Sequence, residues 1–430
     1  MEPVKETARI ESLDLLRGFA LLGILLLNII GFGLHSSAYS NPGYDLIFGA
    51  TSDKATWAAV EIFAEGAMRC LFSILFGAGI LLFTTGASAK GAVLHYKRTF
   101  WLLIFGLFNA YILLWVGDIL VTYALCGFFL YLLRNKSGKT LLISASSIIL
   151  LISIFYGILG LGLSAAKDAS LEVSHATELS NINSDTRILA TEWDDFVKDY
   201  QPSAEKISKE LEQRRESYAT AFSFNLEKTL EMHLVVVPVF LLWDALAMML
   251  LGMALYKFEV LQGKRSLAFY KKLALFGFCI GITFNSYEVY RGITTNFELT
   301  AVFAQMQPTY QIGRLGMAMG YIGLLVLFAR SGGFVSIKTR LSAVGRMALT
   351  NYLMHSFICV VIFTGLGFGL VDKLSRTSLY LVVIAIWIFQ LILSPWWLKR
   401  FHFGPVEWLW RGLTYGRWPN IKRIPSGDYS

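Results

Sequence analysis

Charged and amide side chains stand inside apolar runs of this chain, at spacings that align them on helix faces. In "ESLDLLRGFALLGILLLNIIGFGLH", Asp14 and Arg17 are three apart, and Asn28 follows eleven residues later. At about 100° per residue all three share a face, giving one polar stripe along an apolar helix. Glu61, Glu65 and Arg69 recur every four residues, with acid before base, the favourable order on a helix. Asp118 sits at the hinge of "VGDIL", where a carboxylate can cap the next helix. Asp244 in "FLLWDALAMMLLG" and Arg314 in "QIGRLGMAMGYIG" are available partners for one another. Arg346, Asn351 and His355 share "VGRMALTNYLMHSF", the last two on one face. His35 lies just past the first apolar run.

These residue types could do specific chemistry. His35, Glu65 and Asp118 are candidate bases for taking a proton from a hydroxyl. Arg17, Arg69, Arg98, Arg314 and Arg346 suit anionic ligands, because a guanidinium binds phosphate or carboxylate in a two-toothed fork. Asn28, Asp244, Asn351 and His355 add polar contacts for a ligand inside the membrane, where ionisable groups are costly. Each also has a plainer reading, as an ion pair, a cap or a hydrogen bonder between packed helices. No nucleotide-binding glycine loop, metal-ligand spacing or Gly-x-Ser-x-Gly elbow is present, so no metal site is expected.

The elements that must position these groups are membrane helices. The chain has 430 residues, 55% of them hydrophobic and 16% charged, with a mean hydropathy of +0.55. Soluble domains carry about 25% charged residues. A spanning helix needs about 20 apolar residues. Candidates fall at 12–33, 56–86, 98–116, 118–133, 140–164, 233–257, 269–287, 311–329, 346–369 and 378–397. The second is too long for one span, and its first part is expected at the interface. The fold class is therefore all-α: a polytopic transmembrane bundle of about ten helices in the lipid bilayer. Its divisions are helices one to five over 1–164, a charged extracytoplasmic loop or helical cap over 165–232, and helices six to ten with a cytoplasmic tail over 233–430.

Charge sets the expected orientation. With the N-terminus inside, the inner segments hold 24 of the 38 Lys and Arg residues and the short outer loops hold 4. That asymmetry puts both termini in the cytoplasm. The formal net charge of +8 is accounted for by these loops and gives no support to nucleic-acid binding. The leading segment mixes Glu2, Glu6, Glu11 and Asp14 with Lys5, Arg9 and Arg17. It is not the net-positive start of a cleavable signal peptide, so the first helix is expected to stay as an anchor. The four cysteines lie within apolar stretches and show no disulfide framework.

Five stretches, "LDLLRGFALLGILLLNI", "LFSILFGAGI", "GDILVTYALCG", "GRMALTNYLMHS" and "GPVEWLWRGLTYG", occur in an order that resembles the bacterial YeiB-like family (domain of unknown function 418). The resemblance covers both ends and most of the membrane region, but not the long outer loop. The opening helix is also similar to those of the membrane acyltransferases, such as heparan-alpha-glucosaminide acetyltransferase and the sugar O-acyltransferases. That likeness implies acyl transfer from a cytoplasmic donor, acetyl-CoA or another acyl-CoA, with no tightly bound cofactor. It implies an extracytoplasmic glycan or small-molecule hydroxyl as acceptor. A His near the outer end of the first helix serves as base in such enzymes, and His35 occupies that place here. The resemblance also implies a bacterial cytoplasmic (inner) membrane location.

Three functions remain open on the sequence. In an acyltransferase, Arg17, Arg98, Arg346 and Asn351 would meet the donor phosphates, and Asn28, His35, Glu65, Arg69 and Asp118 the acceptor. In a small-solute transporter the same groups would line an alternating-access path. In a non-catalytic assembly or sensor protein they would only hold helices together. The oligomeric state, a homo-oligomer among the alternatives, is also open.

Overall fold

In a computed structural model, residues 11–46, 49–84, 91–176, 182–303 and 307–423 are described. They form nineteen helices. No strand occurs among the described residues, only an isolated antiparallel bridge between Phe401 and Lys422. In order the helices are α1 (Glu11–Gly33), α2 (Ser36–Ser40), α3 (Gly43–Leu46), α4 (Thr51–Phe63), α5 (Ala67–Thr84), α6 (Ala92–Leu107) and α7 (Ile119–Leu133). After them come α8 (Gly138–His175), α9 (Ser184–Tyr200), α10 (Ala204–Glu216), α11 (Tyr218–Glu231), α12 (Leu242–Lys257) and α13 (Leu267–Thr294). The last six are α14 (Leu299–Val302), α15 (Tyr310–Arg330), α16 (Val335–Arg346), α17 (Ala348–Phe363), α18 (Arg376–Arg400) and α19 (Pro405–Tyr415). Two π-helical segments, Phe108–Ile112 and Met232–Leu241, extend α6 and link α11 to α12.

Seven helical stretches are long and apolar enough to cross a membrane, and the bent pair α16–α17 makes an eighth. The chain is thus a multi-pass helical membrane protein. The expected third and fourth spans differ from the rest. Helices α6 and α7 have 16 and 15 residues, and α7 measures only about 22 Å at 1.5 Å per residue, less than a hydrocarbon core of about 30 Å. Their hairpin is anchored instead by its tip, where the Trp115 ring stacks on Phe32 at 4.4 Å.

The long second candidate is divided in two. Residues Ala64–Gly66 separate α4 from α5, and Gly66 has φ +63. A Cβ there would lie 2.9 Å from the Cβ of Arg314, so a larger residue is excluded twice over. Helix α8 overruns its expected end at 164 and continues to His175 without interruption. Its 38 residues span about 57 Å, so it leaves the membrane as a continuous helix and carries the insertion with it. The described residues of that insertion are mainly helical: α9, α10 and α11 each begin at a side-chain cap, from Asn183, Ser203 and Ser217.

A buried arginine ties the insertion to the end of α1. Arg214 of α10 donates to the carbonyls of Gly31, Phe32 and Leu34 at 3.1, 2.8 and 2.8 Å. These are carbonyls that a helix end leaves without partners. Glu210, paired with Arg214 at 3.0 Å, accepts from the backbone N–H and hydroxyl of Ser36. Burial pulls the Arg214 guanidinium below its ordinary value, and Glu210 pushes it back up.

At the opposite end of the bundle, where α1 begins and α19 lies, α16 packs across α1. Gly18 and Gly345 make this possible, because a Cβ on either would meet the Leu341 or Asp14 carbonyl oxygen at 2.0 and 1.9 Å. That close approach brings Arg17 and Arg346 to one surface, called the terminal face below. The end bearing α9–α11 is the loop face.

Candidate functional site

A cavity of about 300 Å³ opens beside α19 and runs between α1, α5, α6, α7 and α17. Its size falls at the lower end of ligand pockets, about 300–1,000 Å³. Four arginines line it: Arg17, Arg98, Arg346 and Arg411. Its walls are apolar, among them Phe72, Phe76, Ile80 and Leu102, and it reaches Leu120, Tyr123 and Tyr352. The sequence grouped Arg17, Arg98 and Arg346 as ligand-binding residues, and the structure brings all three into this cavity.

Arg98 is set between two aromatic rings. Its guanidinium lies between the rings of Phe83 and Trp410, 4.7 and 4.4 Å from their centroids. Trp410 is held in turn by its indole N–H, which donates to the Arg98 carbonyl at 2.9 Å. No carboxylate or acceptor among the described residues meets the Arg98 side chain. Stacking fixes the plane of the guanidinium and leaves its N–H edge unsatisfied. Arg17, by contrast, pairs with Asp14 at 3.3 Å.

At the inner limit of the cavity, Tyr352 contacts Asp118. The Tyr352 hydroxyl lies 3.3 Å from the carboxylate and accepts the Ile119 N–H at 3.2 Å. Asp118 caps α7 through the Val121 N–H at 2.9 Å and accepts from Asn109 at 2.8 Å. Capping is the role its hinge position predicted. Asp118 is 1% exposed and meets the cavity through the lining residue Tyr352. Asn109 belongs to the π-helical segment after α6, a distortion frequent at functional sites.

Tyr123 leads from the cavity to a second polar cluster. Its hydroxyl lies 2.6 Å from that of Ser73, which bonds the Arg69 carbonyl at 2.9 Å. Arg69 donates to the Tyr310 hydroxyl at 3.0 Å, and Tyr310 in turn reaches Glu65 at 3.4 Å. Arg314 and Asp244 pair as the sequence allowed, through a 3.0 Å bond and a second, shorter one. Gln311 accepts from Arg314 at 2.9 Å, and Arg69 stands 3.9 Å from Asp244. Arg314 is 1% exposed, so this group is an interior charge network between α5, α12 and α15.

The remaining candidates lie apart from the cavity. Asn28 is half-buried on α1 and is not among the lining residues. His35 is buried, its ring edge-on to Tyr44 at 6.0 Å, and its Nδ1 meets no partner. Asn351 donates to the Val344 carbonyl and the Ser394 hydroxyl at 3.2 and 3.1 Å. The imidazole of His355 pairs with Gln390 at 2.9 Å, whose amide donates to the Asn351 carbonyl. These two bind α17 to α18 and brace the 82° bend after α16.

Among the lining residues not singled out in the sequence are His95, Tyr123, Tyr352, Glu407, Trp410 and Arg411. Glu407 joins the tail helix to the bend. It accepts from the N–H groups of Leu349 and Thr350 at 2.7 and 3.0 Å and from the Thr350 hydroxyl at 2.5 Å. Those N–H groups open α17, where a carboxylate complements the helix dipole. Burial raises the Glu407 carboxyl above its ordinary value, and the bonds from Thr350 oppose the rise. A signal was available for α19, whose "VEWLWRGL" turns one face to the bundle. His95 precedes Arg98 by three residues, the spacing of neighbours on a helix.

Fold and site define a multi-pass membrane protein with an arginine-lined cavity opening at one face. Residues 255–417 match the family described as "Protein of unknown function (DUF418)". The chain is 31% identical over 430 residues to "Uncharacterized protein YxaH" of Bacillus subtilis (strain 168), covering 98% of each chain. It is 30% identical over 406 residues to "Uncharacterized protein YeiB" of Escherichia coli (strain K12), covering 94% of this chain and 95% of that one. The chain belongs to the YeiB-like DUF418 family. No solved structure matches it.

Proposed function

We propose that this protein is a bacterial inner-membrane acyltransferase that takes an acyl group from a cytoplasmic CoA thioester and delivers it to an extracytoplasmic hydroxyl. The observation that carries this reading is Arg98, a stacked guanidinium with no acceptor of its own, set among three further arginines at the cavity. Such a group favours a phosphorylated ligand. The apolar walls beyond it suit the acyl-bearing arm of the donor. The terminal face is assigned to the cytoplasm by the concentration of Lys and Arg in its segments.

The reaction breaks the donor C–S bond and forms a C–O bond to the acceptor. The acceptor hydroxyl loses its proton to a carboxylate, and CoA leaves as the thiolate and takes up a proton from solvent. Asp118 is the carboxylate that the lining residue Tyr352 contacts, and Tyr352 is the group that must move to admit it. The Glu65–Arg69–Tyr310 cluster lies beyond Tyr123 and Ser73, on the side from which an acceptor would come.

Binding and turnover test this separately. Acetyl-CoA should raise the melting temperature of the purified protein, because a ligand of the native state stabilises it by mass action. A hydroxyl acceptor should then release free CoA. Absence of both effects would remove the enzyme reading. The broken helix α16–α17 favours a transporter as the second reading, since discontinuous helices often frame solute sites. Uptake into proteoliposomes without CoA release would select it.

A further inference from the structure

His95 is a buried imidazole that no role above uses, and its bonding fixes which nitrogen carries the proton. Its Nε2 lies 2.9 Å from the Gly127 carbonyl, which can only accept. The Thr99 hydroxyl, 3.5 Å away, gives its own proton to the His95 carbonyl at 2.9 Å. Nε2 therefore holds the hydrogen, and in the neutral ring Nδ1 is an acceptor. The ring is clamped by stacking on Tyr131 at 4.9 Å. Nδ1 bonds no described residue. It is not sealed off like the partnerless Nδ1 atoms of His35 and His355, and the ring lines the cavity.

We infer that Nδ1 of His95 accepts a hydrogen bond from the ligand whose phosphate Arg98 holds, and so selects a phosphorylated ligand with an N–H or O–H donor close by. Residues three apart on a helix face the same side, with Cβ atoms about 5–6 Å apart. The pair thus presents an anion-binding fork and a neutral acceptor one turn apart. In a CoA thioester the hydroxyl and amide N–H groups of the pantetheine arm follow the pyrophosphate. They meet this pattern when the arm passes the His95 ring from a phosphate held at the Arg98 guanidinium. The inference rests on the donor reading of the cavity. It adds that the arm, rather than the nucleotide, is recognised at His95.

Two substitutions separate the roles of the two ring nitrogens. His95→Gln can keep a donor to the Gly127 carbonyl but places no acceptor at Nδ1. His95→Asn places an amide oxygen near Nδ1 and gives up the Gly127 bond. Binding of acetyl-CoA, 4′-phosphopantetheine and adenosine 3′,5′-bisphosphate is measured for each variant and for the wild type. Loss of one neutral hydrogen bond corresponds to about three- to tenfold in affinity. That loss is expected for His95→Gln with the first two probes, and His95→Asn should retain more. The bisphosphate, which lacks the arm, should bind all three proteins alike and so reports that the variants are folded. Unchanged affinity in His95→Gln, or a loss confined to His95→Asn, overturns the inference while the donor reading stands. Failure of the wild type to bind either arm-bearing probe removes the donor reading and this inference with it.

Discussion

The Glu407 carboxylate reaches 2.5 Å from the Thr350 hydroxyl and closes the open start of α17 from a helix 57 residues further along the chain. The bend between α16 and α17 exposes backbone N–H groups that need an acceptor. The tail supplies it, so a residue of α19 both lines the cavity and stabilises the broken helix. The consequence is a pH dependence with a definite sign. Burial raises the Glu407 carboxyl above its ordinary value of 4.5. Between that value and the raised one, the folded protein holds more protons than the unfolded chain. Glu407's contribution to stability is then complete below the unfolded value and is lost as pH rises through the folded one. Melting curves from pH 4.5 upward should fall for the wild type in this window and be flatter for Glu407→Gln. Parallel curves for the two proteins would contradict the assignment.

Asp244 and Arg314 form a buried pair with a second guanidinium, Arg69, nearby. Removing one partner leaves an uncompensated charge, a cost of about 3–5 kcal/mol. Asp244→Ala should be the most destabilising single change in this network. The double replacement Asp244→Leu with Arg314→Leu should recover part of the loss. Thermal denaturation in one detergent tests both, and an equal loss in the double variant would count against the pairing.

At the cavity, Arg98→Ala should weaken binding of acetyl-CoA about tenfold or more, since hydrogen bonds to charged groups are worth about 1.5–3 kcal/mol. Arg98→Lys should recover little, because an ammonium cannot stack flat between Phe83 and Trp410. Asn351→Ala should leave affinity near the wild-type value while lowering stability, because its amide binds Val344 and Ser394 instead of the cavity. Equilibrium titration beside melting curves distinguishes the two effects.

Arg214→Ala should loosen the insertion from α1. Three carbonyls at the end of that helix lose their partner, and Glu210 is left as an unpaired buried carboxylate. Hydrogen exchange should rise across α10 and at the end of α1, with little change in α13 and α15. Uniform exchange over the whole chain would instead indicate global destabilisation.

The sequence by itself determined the all-helical membrane class, because apolar runs and their charged punctuation are local properties of the chain. It also marked the second apolar run as too long for one span, and offered the cap at Asp118 and the complementary charges of Asp244 and Arg314. Tertiary structure decided which polar residues share a space. Arg17 and Arg346 come together because α16 crosses α1 at the Gly18–Gly345 contact, and Arg98 joins them from α6, where the tail residue Trp410 packs on it. His355 and Asn351, equally suggestive in type and spacing, are absorbed by Gln390 and Ser394 on α18. Glu407 and Trp410 gain their roles only once the tail folds back on α17 and α6. Helix periodicity specifies which residues face the same way along one helix. It carries no information on which other helix that face will meet, and the cavity is made wholly of such meetings.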